Sequence, residues 1–320
     1  MKAARVLLLL VLAGGLAAVQ YGLKEPESTP LWNSLFNSGH APLYGVLSWI
    51  VLVVLDIARP TWRRGVRYLQ AFAVSVALGG VMEALQYFGA RDAQLEDFGR
   101  NALGSSAFLA FAASFDRSLV LDGAPRSFAK RFGLRAGAVV ALGVAFVPVI
   151  LAGGAIVARN HAFPRLTGFD TLWERQLVFV NESADLEYRP APEAGPPDGG
   201  NSAAYVTFRP GQYSILTLYD PYPDWTGYGS LGFTVYSDLP DEVRLTLWIE
   251  DDHHTAGSQG YFSRRLTVSP GENRFDIALV DVRTTAKKRE LDMMRIHKIA
   301  LYGTRVEEPF SLSFDDFRLE

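Results

Sequence analysis

Six residues between positions 40 and 101 carry side chains whose types and spacing suit chemistry. His40 comes first, and Glu83, Gln86, Arg91, Asp97 and Asn101 follow in the pattern E-x2-Q-x4-R-x5-D-x3-N. An imidazole and two carboxylates can pass protons, a guanidinium can grip a phosphate, and the amides can orient either group. The text around them is strongly apolar. An ionisable side chain inside such a segment costs at least ~2–3 kcal/mol and marks a pathway, a site or a buried pair.

The elements that must position these groups are apolar helices. Five segments approach the length of about 20 residues that spans a bilayer: Ala4–Tyr21, Leu43–Ile57, Tyr68–Phe88, Phe98–Phe115 and Ala136–Val157. The first has an alternative reading as a secretory signal, because Lys2 and Arg5 precede its core and Gly15-Leu16-Ala17 offers a cleavage site. Basic residues accumulate in cytoplasmic loops. Arg59, Arg63, Arg64 and Arg67 fill one connection; Arg117, Arg126, Lys130, Arg131 and Arg135 fill another. The alternate connections, 22–40 and 89–97, hold only Lys24 and Arg91. That asymmetry predicts a cytoplasmic N-terminus, five crossings and an extracytoplasmic C-terminal half. The cluster then sits at the outer interface, with His40 at the mouth of the second helix.

Each cluster residue also has a structural reading. Asp97 can cap a helix, Arg91 can pair with Asp92 or Glu96, and Gln86 and Asn101 can bond between helices brought close by Gly79, Gly80 and Gly104. Glu83 is the hardest to explain that way. The run Asn37-Ser38-Gly39-His40 with Tyr44, then Glu83, Gln86, Arg91, Asp97, Asn101 and Gly104, resembles the VanZ-like membrane family over roughly Leu31–Phe115. The resemblance implies a cell-envelope protein and supplies no activity.

After Val157 the pattern changes. Short alternating segments separated by turn residues run from Ala203 to Leu319, which predicts an all-β sandwich. Strands are expected at Ala203–Phe208, Tyr213–Tyr219, Ser230–Tyr236, Val243–Glu250, Tyr261–Val268, Arg274–Val280, Arg295–Tyr302 and Phe310–Leu319. Asn160–Asp170 reads as a linker. Period-two alternation points Leu245, Leu247 and Ile249 inward and Trp248 outward, as it points Val235 inward and Tyr236 outward. If those strands are neighbours, one face presents Tyr236 and Trp248 beside Arg265. Flat aromatics among planar polar groups suit a sugar ring.

This half resembles a carbohydrate-binding-module-like jelly roll, through Asp224-Trp225, Ile249–His254, Ser269–Asn273, Glu290-Leu291-Asp292 and the closing Phe314–Leu319. The resemblance implies ligand contacts at Asp251 and His254. Consecutive residues such as Asp251–His254 rarely share one ion, so no metal is expected there. Asp315-Asp316 breaks the inward register and predicts a bulge, with calcium as an alternative reading.

The expected organisation is thus an α-helical transmembrane bundle, 1–157, followed by an extracytoplasmic β-sandwich, 158–320. A net charge of −3 gives no reason to invoke nucleic acid, and the absence of cysteine removes disulfides and thiolate sites. No cofactor motif is present. Three functions stay open. One is an integral membrane protein that binds an envelope polysaccharide or lipid-linked glycan, with a polar site at the outer leaflet beside membrane lipid. Another is a membrane enzyme acting on a lipid-linked phosphate or sugar. The third is a structural protein whose sandwich docks a protein partner.

Overall fold

The computed structural model describes residues 5–7, 9, 11–15, 29–87, 95–119, 125–192, 201–253, 260–284 and 289–320. Two compact units divide at Ile150 and Leu151.

The first unit is helical. Its main helices are α1 (Pro30–Ala58), α2 (Arg64–Tyr87), α3 (Leu95–Ala113) and the larger part of α4 (Pro125–Ala162), which runs on past the division. Helix α1 starts well before the expected apolar segment. Thr29 caps it by accepting from the Trp32 amide at 3.3 Å, and Pro30 takes the first helical position, where its missing N–H costs nothing. His40 therefore lies in mid-helix and not at a helix mouth. Among the described residues, three stretches are long and apolar enough to cross a membrane: Pro30–Ala58, Arg64–Ala84 and Phe128–Ala162. Helix α3 falls outside that group, since Glu96, Asp97 and Arg100 charge its first turns. Five were expected, and half of the first expected span, Ala4–Tyr21, lies outside the described residues.

Close helix contact depends on absent side chains. A Cβ on Gly104 of α3 would stand 1.9 Å from the backbone oxygen of Ala41 on α1. One on Gly79 of α2 would meet Asn101 Nδ2 at 2.8 Å. At the other end of these helices Arg64 bridges Asp56 and Asp116, and Arg67 joins Asp56 at 2.8 Å.

The second unit is an antiparallel β-sandwich. Its elements are β1 (Arg165–Thr167), α5 (Leu172–Arg175), β2 (Val178–Val180), β3 (Ala184–Pro190), β4 (Ser202–Phe208), β5 (Gly211–Tyr219), β6 (Ser230–Ser237), β7 (Val243–Asp251), β8 (Tyr261–Val268), β9 (Gly271–Ala278), α6 (Leu279–Thr284), β10 (Ile296–Val306) and β11 (Phe310–Leu319). One sheet runs β3-β4-β11-β6-β9 with β1 also on β11; the other runs β2-β5-β10-β7-β8. Strands β1, β2 and β3 extend the sheets beyond the eight expected, and β1 occupies part of the expected linker.

The core follows the alternation. Leu231, Phe233 and Val235 of one sheet face Leu245, Leu247 and Ile249 of the other, all nearly inaccessible. Each such side chain contributes about 1.5–3 kcal/mol by leaving water. Phe233 stacks on Phe317 at 4.8 Å. Trp225 is buried, its Nε1 donating to the Tyr222 carbonyl at 2.7 Å. The bulge appears where the register predicts it: pairing of β11 with β6 slips between Asp315 and Arg318, and Asp316 takes φ 56°.

Candidate functional site

Three helices assemble the polar cluster. His40 comes from α1, Glu83 from α2, and Asp97 and Asn101 from α3; none is more than 7% exposed. The imidazole is the hub. Its Nδ1 lies 3.2 Å from Asn101 Oδ1 and 3.9 Å from Glu83 Oε1, and its Nε2 lies 4.0 Å from Asp97 Oδ2. Tyr44, one turn along α1, lies nearly parallel to the imidazole at 6.3 Å. An imidazole placed between two carboxylates can relay a proton, and the same donor set can hold a cation.

The cation paired with Asp97 is Arg100, which also donates to Glu96 at 3.0 Å. The sequence reading missed it, although Glu96 and Asp97 precede Arg100 at the i+4 and i+3 spacings that pair on a helix. Arg91 lies outside the described residues. Gln86 falls on α2, and its side chain also lies outside them. The structure thus brings together His40, Glu83, Asp97 and Asn101.

The sandwich carries a second candidate. Trp248 projects outward from β7, stacks on Tyr261 at 3.5 Å and lies 5.8 Å from Tyr302. Its Nε1 donates to Glu250, whose carboxylate also meets Lys298 Nζ at 3.8 Å. Lys298 sits over the Tyr219 ring, and Phe179 and Tyr213 extend the aromatic band along the same face. Burial among these groups pushes the Tyr302 hydroxyl up to about 12 and raises Tyr219 as well. Both phenols therefore stay protonated donors at neutral pH. Arg265 is exposed on the same side, since it pairs with Thr246 two positions from Trp248.

Two expectations change. Tyr236 does not share a face with Trp248: β6 and β7 belong to different sheets, so their outward side chains point away from each other. Tyr236 instead lines a cleft of about 630 Å³ on the six-stranded sheet, with Glu272, Arg274, Asp315 and Arg318. Asp251 is wholly buried and faces no open surface. Both arms of Arg289 bind its carboxylate, and the amides of Asp292 and His253 donate to it at 2.9 and 3.2 Å. Burial raises this carboxyl, but the Arg289 bonds outweigh it and hold Asp251 below the usual range. Asp251 ties the end of β7 to the segment before β10. His254 lies outside the described residues.

No protein-family model matches the chain, and no curated protein matches it. Solved structures match the sandwich. A family 11 carbohydrate-binding module from Clostridium thermocellum, in complex with a beta-1,3-1,4-mixed-linked tetrasaccharide, is 12% identical with a TM-score of 0.35, covering 44% of this chain and 86% of its own. A family 30 carbohydrate-binding module of a cellulosomal cellulase of the same organism is 11% identical with a TM-score of 0.35, covering 45% and 91%. An exo-beta-agarase is 16% identical with a TM-score of 0.39, covering 49% of this chain and 24% of its own. The β half resembles carbohydrate-binding modules in structure.

Proposed function

We propose that this chain is an integral envelope protein whose sandwich binds a glycan on the outer face of the five-stranded sheet, while its helices hold a polar site at the outer leaflet. The observation that carries the reading is the face itself. Trp248, Tyr261 and Tyr302 form an aromatic floor, with Glu250, Lys298 and Arg265 as polar groups around it. A pyranose offers an apolar CH face to such a floor and hydroxyls to such a rim.

The membrane setting is supported by α4, where Val139, Val140, Val144, Val147 and Ile150 are exposed along the apolar stretch between Arg135 and Arg159. Exposed apolar surface on that scale needs a covering medium. Single cysteines at Ala93 and Ser258 should react with an impermeant thiol reagent on intact cells, and one at Arg64 should not. Labelling at Arg64 alone would reverse the orientation.

The glycan reading is tested with the chain in lipid nanodiscs, titrated with a panel of envelope polysaccharides and followed by calorimetry. Binding to at least one, abolished by Trp248→Ala, is the expected result. No heat with any polysaccharide, together with capture of a defined protein partner, would favour a docking module. A second reading, an enzyme acting on a lipid-linked phosphate or sugar, is favoured by one observation: the imidazole of His40 stands between the carboxylates of Glu83 and Asp97.

A further inference from the structure

The helical cluster has the composition of a metal site. One nitrogen or oxygen from each of His40, Glu83 and Asp97 lies within 4.8 Å of the others, and all three residues are more than nine-tenths buried. One imidazole and two carboxylates form a mixed N/O donor set that takes divalent transition metals. Ligand atoms bonded at ~2.1 Å to one ion stand ~3.0–4.2 Å apart, depending on the angle between them. The 4.0 Å from His40 Nε2 to Asp97 Oδ2 falls within that span.

The surroundings match what metal ligands require. A ligating imidazole gives one nitrogen to the ion and donates the other N–H to an oxygen that fixes its tautomer. Asn101 Oδ1, 3.2 Å from His40 Nδ1, is such an acceptor and leaves the Nε2 lone pair toward Asp97; Glu83 Oε1, 3.9 Å from that same Nδ1, must close on the Nε2 side as the ion binds. Asp97 is itself held by Arg100, as a ligating carboxylate is in a supported site.

A separate observation points to something bound. Asn101 is fully buried with its amide head turned to His40, and its Nδ2 has no hydrogen-bond partner among the described residues. Leaving a buried amide donor unsatisfied forfeits the hydrogen bond it would make to water in the unfolded chain. A water or hydroxide on an ion at this position is an acceptor of the right kind.

We propose that His40, Glu83 and Asp97 bind one divalent transition-metal ion, Zn2+ or Mn2+, with Asn101 orienting the imidazole and donating to an ion-bound oxygen. The site stands independently of whether the sandwich binds a glycan.

The test uses the tag-free 320-residue chain in detergent, loaded with Zn2+ or Mn2+, freed of excess ion on chelating resin and assayed by elemental mass spectrometry. About one ion per chain is expected, with affinity weakened ~10–100-fold by Asn101→Ala. His40→Gln and Glu83→Gln, which keep volume, should each lose more than nine-tenths of the metal. His253→Ala, beside the exposed carboxylates of Asp252 and Asp292, should retain it. X-ray absorption on the Zn-loaded wild type needs no variant to fold, and it should show an imidazole with oxygen ligands at ~2.0–2.1 Å. A wild-type chain that holds no ion after loading would overturn the proposal. So would an absorption spectrum without imidazole, metal that persists in His40→Gln, or metal that departs with His253→Ala.

Discussion

Trp248 lies face to face with Tyr261, their ring centroids 3.5 Å apart and their planes 14° from parallel. The two residues are diagonal neighbours across β7 and β8, since Trp248 pairs with Ser263 and Tyr261 with Glu250. Tyr261 therefore covers one face of the indole and braces it across the strand pair.

From this follows a prediction that separates the two outer faces of the sandwich. Trp248→Ala should weaken binding of the responding polysaccharide at least tenfold. Its lost stacking, worth about 0.5–1.5 kcal/mol, should lower the melting temperature by only a few degrees. Tyr236→Ala, on the opposite sheet, should leave the affinity unchanged within about twofold, since it lies beyond contact range of that face. Parallel titrations of both variants check it. A loss confined to Tyr236→Ala would move the ligand to the cleft beside Arg274 and Arg318.

Much of the sandwich was legible because alternation is a local property. Leu245, Trp248 and Ile249 face the sides that their spacing dictates, and Tyr261–Val268 and Phe310–Leu319 begin and end where expected. Sheet membership is not local. Nothing in β6 or β7 says that consecutive strands part into different sheets, so Tyr236 was misplaced although its outward direction was right. Strands β1 and β2 have three residues each, too few to show a period. In the helices, polarity revealed His40, Glu83, Asp97 and Asn101. Arg100 was overlooked because a charge near a helix start resembles a solvated end. The early start of α1 was written in Thr29-Pro30, but a search for apolar length passes over a capping signal.

Gly104 supports a second prediction. A methyl group there would press on the Ala41 backbone, which cannot rotate away as a side chain can, so α1 and α3 must separate. Gly104→Ala should destabilise the helical unit by about 1–3 kcal/mol. Gly99→Ala, on the same helix with nothing within 4 Å, should be neutral or stabilising by up to ~1 kcal/mol because alanine is the better helix former. Thermal unfolding in detergent, followed by helical circular dichroism, distinguishes them. Equal behaviour of the two variants would contradict the close approach.

Asp315 gives the sandwich a pH dependence. Burial raises its carboxyl to about 6, against a lowering by the Asn201 amide that donates to it at 3.2 Å. Because the folded value lies above the unfolded one, the folded state binds the extra proton first. Stability should therefore rise as pH falls through about 6 and level off below about 3.8, a gain of at most about 3 kcal/mol. Asp251 works the other way, but only at lower pH, because its carboxyl is held below 3.8. Denaturant melts at pH 7.5, 6 and 4.5 should show the gain in the wild type and not in Asp315→Asn. A wild type that weakens steadily across that window would refute the assignment.

The polar cluster draws on three helices, and in the proposed bilayer setting this has a consequence for biogenesis. When α1 enters the lipid its imidazole arrives ahead of the other three cluster residues, and Glu83 on α2 arrives before the amide and carboxylate of α3. Each intermediate bears part of the penalty of a polar group in hydrocarbon, and docking of α3, which brings Asp97 and Asn101 to the imidazole, lowers it further. That relief acts as a ratchet on insertion order. A chain interrupted before Asp97 should be held as an unassembled intermediate that membrane quality control can recognise.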